Sequence, residues 1–194
     1  MSKIEIYKKL LKSKKQIYTV SDLKKVLGLR KDNSVYQAIK RLKKEGLLEG
    51  LLNGVYHLTD LPSNDFVIAN NLYSPSYISL ETALNYYGIL IQTPYIISSI
   101  TTRRNKLIKQ KNKEFIFFHL SSDYFFDYIK EGDFLIATPE KALIDTIFFN
   151  ALGKSKTDLS ELVLEHVNKK RLLKLKEKIT NLAFHRVFER LRLK

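Results

Sequence analysis

Cysteine is absent from this chain of 194 residues, and glycine and proline are scarce. Without cysteine the protein forms neither disulfides nor thiolate metal sites, which fits a reducing cytosol. Seven glycines and four prolines are too few for a long disordered linker. Long apolar runs are also absent, since no stretch of about 18 apolar residues could span a bilayer, and the opening MSKIEIYKKLLKSKK lacks the apolar core of a signal peptide. We therefore expect a globular cytoplasmic protein that does not enter a membrane.

Positive charge, in contrast, is abundant and unevenly distributed. The net charge is +14. Residues 1–60 carry 14 basic and 6 acidic side chains, a balance of +8, and residues 154–194 carry 12 and 5, a balance of +7. Residues 61–153 are almost neutral at −1. A basic head and tail around a neutral middle favour contact with nucleic acid or an anionic surface, although runs of charge also occur on surfaces that meet only solvent.

The first thirty residues predict two short helices. The expected buried face of the first helix consists of Ile4, Tyr7, Leu10 and Leu11. The second helix lies in TVSDLKKVLGL, where Ser21 is the expected N-cap. Gly28 is its expected stop, because glycine readily adopts the left-handed conformation that ends many helices.

A third predicted helix, from Asp32 or Asn33 to about Glu45, has two chemically different faces. The face expected to pack on the other helices holds Val35, Ala38, Ile39 and Leu42. The opposite face offers amide, hydroxyl and cationic groups, which read base edges and contact phosphates in a DNA major groove. The residues predicted to bind DNA, on this helix and in the turn before it, are Arg30, Lys31, Asn33, Ser34, Tyr36, Gln37, Lys40, Arg41 and Lys44.

A β-hairpin is predicted after the third helix, in LLEGLLNGVYHL. Asn53-Gly54 favours a tight type I′ turn, because both central residues of that turn need positive φ. Three helices followed by a hairpin make a winged helix-turn-helix, which we assign to residues 1–60. A winged helix most often binds DNA, and the alternative is a winged helix used for protein contact.

The predicted wing is unusual because it contains no lysine or arginine between Leu47 and Leu58. A wing that follows a minor groove or a phosphate backbone normally carries cations. We therefore expect the third helix to carry most of the DNA affinity. Leu51 and Leu52 are expected to pack against the second domain or another protomer instead.

Residues 61–194 predict a mixed α/β domain closed by C-terminal helices, so the fold class is α+β. The polar segment DLPSND marks the expected boundary, and Ser79 is the expected cap of the helix that follows it. YIISSITT and EFIFFHL predict strands, and the basic stretch RRNKLIKQKNK between them predicts an exposed connection. FLIATPEKALIDTIFF predicts a strand and then a helix, with Thr138 as N-cap and Pro139 at its first position. Amphipathic helices are predicted from about Thr157 onward.

Five segments carry a family resemblance over nearly the whole chain: the predicted winged helix, YISLETALNYYGI, ITTRRNK, FFHL and ATPEKALIDTIFF, in that order. The chain resembles the AbiEi family, the antitoxins of AbiE-type type IV toxin–antitoxin systems in abortive infection and antiviral defence. The resemblance implies an N-terminal domain that binds operator DNA and represses its own operon. It also implies a C-terminal domain that counteracts a nucleotidyltransferase-like toxin without forming a stable complex.

A small polar and basic cluster in ITTRRNK is a candidate antitoxin surface. Its residues could bind phosphate or an acidic partner, or could form a solvated loop, and they are Thr101, Thr102, Arg103 and Arg104. The alternative function is a protein-interaction module that neutralises a toxin by direct binding, with DNA binding secondary. The sequence leaves the oligomeric state open.

One set of residues is similar in composition to the site of a metal-dependent nuclease. It consists of the carboxylates Asp127, Asp133, Glu140 and Asp145, together with Lys141. Such a site needs an acid-x-Lys pair that converges from strands, whereas here Glu140 and Lys141 are adjacent and enter a helix. On that helix Lys141 and Asp145 are four residues apart and can pair. No phosphate-binding G-x-x-x-x-G-K-[ST] loop occurs, and the four scattered histidines lack metal-ligand spacing. We expect no enzyme, no catalytic residue, no metal and no cofactor.

Overall fold

The computed structural model of the chain describes residues 3–52, 54–62, 64–110 and 112–191. These residues contain eight α-helices and nine strands in two sheets, so the predicted α+β class is confirmed. Contacts divide the chain into two compact units, Met1–Leu72 (unit 1) and Tyr73–Lys194 (unit 2). Among the described residues no helix is long and apolar enough to cross a membrane.

Unit 1 combines four helices with one small sheet. Its elements are α1 (Lys3–Lys12), β1 (Ile17–Thr19), α2 (Val20–Leu27), α3 (Asp32–Lys44), β2 (Leu48–Gly50), β3 (Val55–Leu58) and α4 (Asp65–Leu72). The sheet is antiparallel with the order β1-β3-β2, so the hairpin β2–β3 is extended by a strand from between the first two helices. Sequence analysis missed β1, because three residues are too few to display a strand pattern.

The core of unit 1 is built from one face of each of its first three helices and one face of its sheet. Leu10, Leu23, Leu42 and Leu58 are fully buried in it, and each leucine contributes about 1.5–3 kcal/mol by leaving water. Tyr18 is also fully buried, and its hydroxyl donates to the carbonyl oxygen of Leu10 at 2.8 Å. This bond satisfies a buried polar group and ties β1 to α1.

The buried face of α1 differs from the predicted one. Ile6 and Leu10 are buried, whereas Ile4 is 66% exposed and Leu11 is 40% exposed. The prediction was therefore wrong for Ile4 and Leu11 and missed Ile6. The helix offers two overlapping apolar faces, and the face that holds Ile6 and Leu10 is the one that joins the core cluster with Tyr18.

Helix α2 begins earlier than predicted, at a different cap. The N-cap is Thr19 and not Ser21. The Thr19 hydroxyl accepts a hydrogen bond from the Asp22 N–H at 3.1 Å, and the Asp22 carboxylate accepts one from the Thr19 N–H at 2.9 Å. Because this reciprocal capping box satisfies two otherwise unpaired donors, it decides where the helix starts. The predicted stop at Gly28 is confirmed, with φ of +67°.

The hairpin β2–β3 forms where predicted. The Leu51 N–H donates to the Val55 carbonyl at 2.9 Å, and the Val55 N–H donates to the Leu52 carbonyl at 2.9 Å. Gly54 has φ of +74°, the positive value that the predicted turn requires. Asn53, the other predicted turn residue, lies outside the described residues.

Helix α4 places the division between the units later than the predicted boundary. The predicted boundary falls after residue 60, whereas contacts divide the chain after Leu72. The polar segment that suggested a linker begins a helix, because the Asn64 carboxamide oxygen accepts from the Phe66 N–H at 2.9 Å. The helix then packs on β1, which keeps it in unit 1.

Unit 2 is built on a six-stranded mixed sheet and a buried helix. Its elements are β4 (Ser76–Ile78), α5 (Leu80–Tyr86), β5 (Ile96–Thr101), β6 (Lys106–Gln110), β7 (Lys113–His119), β8 (Tyr128–Glu131), β9 (Phe134–Ala137), α6 (Pro139–Ala151), α7 (Lys169–Lys176) and α8 (Leu182–Arg190). The strand order is β6-β7-β5-β4-β9-β8. Every side chain from Glu140 to Phe149 on α6 is buried, because α5, α7, α8 and β9 all contact this helix. Its predicted N-cap, Thr138, and its first residue, Pro139, are confirmed.

Two predictions for unit 2 are wrong and a third holds in part. The expected connection RRNKLIKQKNK contains β6, in which Ile108 is buried and Leu107 is half exposed, an alternation typical of an edge strand protected by lysines. The segment after Thr157 first forms two 3₁₀ turns, and α-helix begins only at Lys169. Ser79 is the N-cap residue of α5 as predicted, but its hydroxyl makes no capping hydrogen bond and donates to the buried Asp145 carboxylate instead.

Candidate nucleic-acid interface

Helix α3 presents the predicted polar face to solvent. All nine side chains predicted to bind DNA are exposed, seven on α3 and two, Arg30 and Lys31, in the turn before it. On the opposite face of α3, Val35, Ile39 and Leu42 are buried in the core. The helical period therefore separates core from surface as the sequence predicted.

The turn before α3 is built by Gly28. Its N–H donates to the carbonyl oxygens of Lys24 and Lys25, and the Leu29 N–H donates to the Lys24 carbonyl at 3.0 Å. These bonds close the end of α2 while the left-handed Gly28 reverses the chain. The next helix starts after Lys31, which has extended backbone angles. The two helices are thereby joined by a short and well-bonded turn.

The exposed face of α3 changes in chemistry along its length. Amide and hydroxyl groups, on Asn33, Ser34 and Gln37, lie in its first half, and the cations lie in its second half. Cations near a helix C-terminus interact favourably with the helix dipole. Lys40 and Lys44 are exposed, and neither takes part in an ion pair among the described residues.

Two acidic side chains lie close to cations on or beside α3 and offset part of the positive charge. Asp32 binds the ammonium of Lys24 at 2.5 Å, and Glu45 Oε1 lies 4.0 Å from Arg41 Nε. Both pairs lie at the surface, where such contacts contribute about 0–1 kcal/mol. A phosphate group can therefore compete for Arg41 at little cost.

A groove of about 540 Å³ runs beside the polar face of α3. Its lining combines the apolar side chains of Ile6, Leu27 and Leu29 with polar side chains of α3, among them Asn33 and Gln37. Amide groups at the border of an apolar surface can bond a base edge while the apolar surface meets a thymine methyl group. The groove thus gives α3 both kinds of contact that direct base recognition uses.

Lys43 of α3 places a positive charge against the hairpin, although Lys43 was not among the predicted DNA-binding residues. A Cβ built on Gly50 of β2 would lie 3.2 Å from Lys43 Nζ, so this ammonium lies against the hairpin. Leu52 is 37% exposed at the turn, and Leu51 is half-buried. In the sequence, the only indication of this contact is that Lys43 lies between the core face and the polar face of α3.

The predicted cluster in unit 2 forms a well-bonded turn after β5. Thr101 is fully buried, and its hydroxyl donates to the Pro75 carbonyl at 2.7 Å and accepts from the Arg103 N–H at 3.1 Å. It therefore supports the turn and does not face a partner, which corrects its place in the predicted surface. The Arg103 guanidinium lies 4.4 Å from the centre of the Tyr73 ring. Arg104 is exposed, and Thr102 is half-buried.

Three of the four acidic residues that suggested a nuclease, Asp127, Glu140 and Asp145, form structural bonds, whereas Asp133 is exposed. The predicted pair of Lys141 and Asp145 is confirmed, and both side chains are fully buried. Asp145 also accepts hydrogen bonds from the Ser79 hydroxyl at 2.7 Å and the Tyr77 hydroxyl at 3.0 Å. Burial raises the pKa of Asp145 above its usual range, although these three partners act in the opposite direction.

Asp127 and Glu140 bind C-terminal segments. Asp127 accepts from Arg171 at 2.8 Å and from the Thr138 hydroxyl at 2.6 Å. Glu140 accepts from the N–H of Asn168 at 2.9 Å. Within the described ranges, no group of three or more histidine, aspartate or glutamate side chains could hold a metal ion.

No protein-family model matches this chain, and no curated protein matches it.

Proposed function

We propose that unit 1 is a winged helix-turn-helix that binds operator DNA. The order α1-β1-α2-α3-β2-β3 supports this proposal, because it joins two helices by a short turn and follows them with a hairpin. The observation that carries the proposal is the exposed polar face of α3 opposite its buried apolar face.

In this proposal α3 enters the major groove. Asn33 and Gln37 lie beside the apolar groove and read base edges, since a carboxamide can bond adenine at two positions. Lys40 and Lys44 contact phosphates, as does Lys31 next to the helix N-terminus, where backbone N–H groups also favour anions. The amide half of α3 thus supplies specificity and the cationic half supplies affinity.

We also propose the wider function that the family resemblance implies. The chain acts as an autorepressor and antitoxin of a type IV toxin–antitoxin operon, and unit 2 counteracts a nucleotidyltransferase-like toxin. Arg104 and Arg103, in the turn after β5, are the proposed contacts. If Arg104→Glu abolishes protection against the toxin and leaves DNA binding intact, the two activities lie on separate units.

The DNA proposal is tested by binding to the region upstream of the operon. About six phosphate contacts give the logarithm of the binding constant a slope near −5 against the logarithm of salt concentration. Gln37→Ala should weaken binding by about 1–3 kcal/mol and relax preference at one base pair. Lys44→Ala should weaken binding to all sequences alike. Lys130→Ala, at an exposed lysine of β8, is the matched control.

Operator binding that is unchanged in Gln37→Ala, Lys40→Ala and Lys44→Ala would contradict the DNA proposal. A loss of affinity in Gln37→Ala that is equal for every DNA sequence would instead make Gln37 a contact to the DNA backbone and not to a base. Recovery of a stable complex from cells that express chain and toxin together would favour the alternative of direct toxin binding.

A further inference from the structure

One face of the sheet in unit 2 carries a largely apolar strip that is partly open to solvent. The register places Ser98, Ile116 and Leu107 side by side across β5, β7 and β6, and paired residues project from the same face of a sheet. Leu107, on the edge strand β6, is 50% exposed. The strip therefore reaches from the middle of the sheet to its edge.

An open groove of about 400 Å³ lies over this strip. Its apolar lining consists of Pro94, Tyr95, Ile96, Ile116 and Phe118. Phe118 packs against Phe149 of α6, with ring centres 5.1 Å apart, so the floor of the groove is anchored to the core. We call this feature the lysine-rimmed groove because Lys154 and Lys156 are among the residues that line it.

The polar wall of the lysine-rimmed groove has excess positive charge. Its carboxylate, on Glu81, accepts hydrogen bonds from the hydroxyls of Ser155 and Thr157. Lys154 and Lys156 are exposed, and neither forms an ion pair among the described residues. The acid is thus occupied within the fold while the two ammonium groups face solvent.

The segment that leads into the groove holds two large apolar side chains in exposed positions. Ile91 and Tyr95, 78% and 77% exposed, are the most exposed large hydrophobic side chains of the described residues. The Asn85 carboxamide donates to the carbonyls of Leu90 and Ile91, and the Tyr95 hydroxyl donates to the carbonyl of Asn112 at 3.2 Å. These hydrogen bonds hold the segment in place. Its exposed apolar side chains are therefore pre-organised for contact and lose less entropy on binding.

We propose that the lysine-rimmed groove docks an extended acidic segment of a partner protein. An apolar side chain of that segment lies against Tyr95 and Phe118, and its carboxylates pair with Lys154 and Lys156. An open groove does not enclose a small molecule, because small-molecule sites bury most of their ligand. Nucleic acid fits less well, because its affinity depends on many phosphate contacts, whereas the groove lining holds two lysines beside mostly apolar side chains.

The test uses the full chain and a display library of random short peptides as the probe. Enriched peptides should combine acidic residues with an aromatic or large aliphatic residue. Their affinity, measured by fluorescence polarisation, should fall about tenfold in Lys154→Glu/Lys156→Glu and in Tyr95→Ala. Tyr95→Phe keeps the ring and should bind nearly as the parent does. Lys130→Glu/Lys174→Glu reverses two exposed lysines outside the groove and should leave affinity unchanged.

Three outcomes would overturn the proposal. They are the absence of enrichment, enrichment of basic peptides, and equal affinity in the parent and in Lys154→Glu/Lys156→Glu. Single-stranded oligonucleotides that bind the parent and lose affinity in the same variant would also overturn it, in favour of nucleic acid. Circular dichroism checks that each variant is folded. Operator binding, measured in parallel, is expected to persist in Tyr95→Ala, so failure here is separable from failure of the DNA proposal.

Discussion

Lys141 and Asp145 are fully buried on α6 and form an ion pair that Ser79 and Tyr77 complete. Removing two charges from water is unfavourable, and their attraction offsets this only when the remaining hydrogen-bonding positions are also filled. Here Asp145 has three side-chain partners, which come from α6, from β4 and from the junction between β4 and α5. The pair therefore joins α6 to the β4–α5 region and has a structural role.

Removing one member of the buried pair should be strongly destabilising. Lys141→Met leaves the Asp145 carboxylate buried without its counter-charge, so the free energy of unfolding should fall by about 3–5 kcal/mol. Lys141→Met/Asp145→Asn removes both charges and should lose less than the sum of the single changes. Denaturant titration of all three variants measures this coupling, with the exposed Lys174→Met as control. Additive losses would show that the two charges do not interact.

Asp22 should make unit 1 sensitive to acid. Burial acts to raise its pKa, but hydrogen bonds from Lys15 and from the Thr19 N–H and hydroxyl outweigh burial, so the pKa lies below the ordinary value of 3.8. A depressed carboxyl pKa stabilises the folded state above the unfolded-state pKa, and this stability is lost as pH falls through the folded-state value. The difference in unfolding free energy between parent and Asp22→Asn should thus be constant at neutral pH and shrink below about pH 3.8. A difference in unfolding free energy that does not change with pH would argue against this role.

At the scale of elements, two glycines with similar backbone angles should tolerate alanine differently. Gly46 and Gly54 have φ of +71° and +74°, and a side chain in this region is unfavourable by about 1–2 kcal/mol. A Cβ on Gly46 meets nothing within 4 Å, whereas one on Gly54 would lie 3.3 Å from Val20 Cγ2. Gly54→Ala should therefore lower the thermal midpoint more than Gly46→Ala, because it also presses the hairpin against α2. Equal thermal midpoints in the two variants would mean that the Val20 side chain moves aside without loss of stability.

The hairpin β2–β3 should contribute little to DNA affinity. Leu51 and Leu52 precede its turn and carry no charge, while an ammonium that lies against Gly50 of β2 comes from Lys43 on α3. Leu51→Ser/Leu52→Ser is expected to keep operator affinity within about threefold, a change of less than 1 kcal/mol. Lys43→Ala should weaken binding more. A large loss of DNA affinity in the double serine variant, with folding and assembly intact, would contradict this expectation.

At the scale of the whole molecule, the division after Leu72 predicts which fragment folds. A fragment of residues 1–72 keeps α4 on β1, whereas a fragment of residues 1–60 lacks that helix. We expect the longer fragment to unfold cooperatively, at a higher temperature than the shorter one, because α4 contributes the buried side chains of Val67, Ile68 and Ala69. Circular dichroism melts compare the two. Identical melts would place the folding boundary at residue 60.

The candidate DNA interface was predictable because its information is local. One helical period assigns Val35 and Ile39 to the core and Gln37 and Lys40 to solvent, and the structure agrees at each of these positions. The surface in unit 2 was less predictable. Thr101 ends β5 and is buried there, because its hydroxyl donates to the Pro75 carbonyl, 26 residues earlier in the chain.

The sequence by itself determined the α+β class, the two faces of α3, the stop at Gly28, the cap at Thr138 and the pair of Lys141 with Asp145. These features depend on residues within a few positions of one another, through helical periodicity, backbone angles and capping. Only the tertiary structure decided that Ile6 is buried in place of Ile4, that α4 belongs to unit 1, that residues 106–110 form a strand, and that an apolar groove meets Lys154 and Lys156. Burial and strand pairing depend on which distant segment packs against a residue, and the local pattern does not specify that partner.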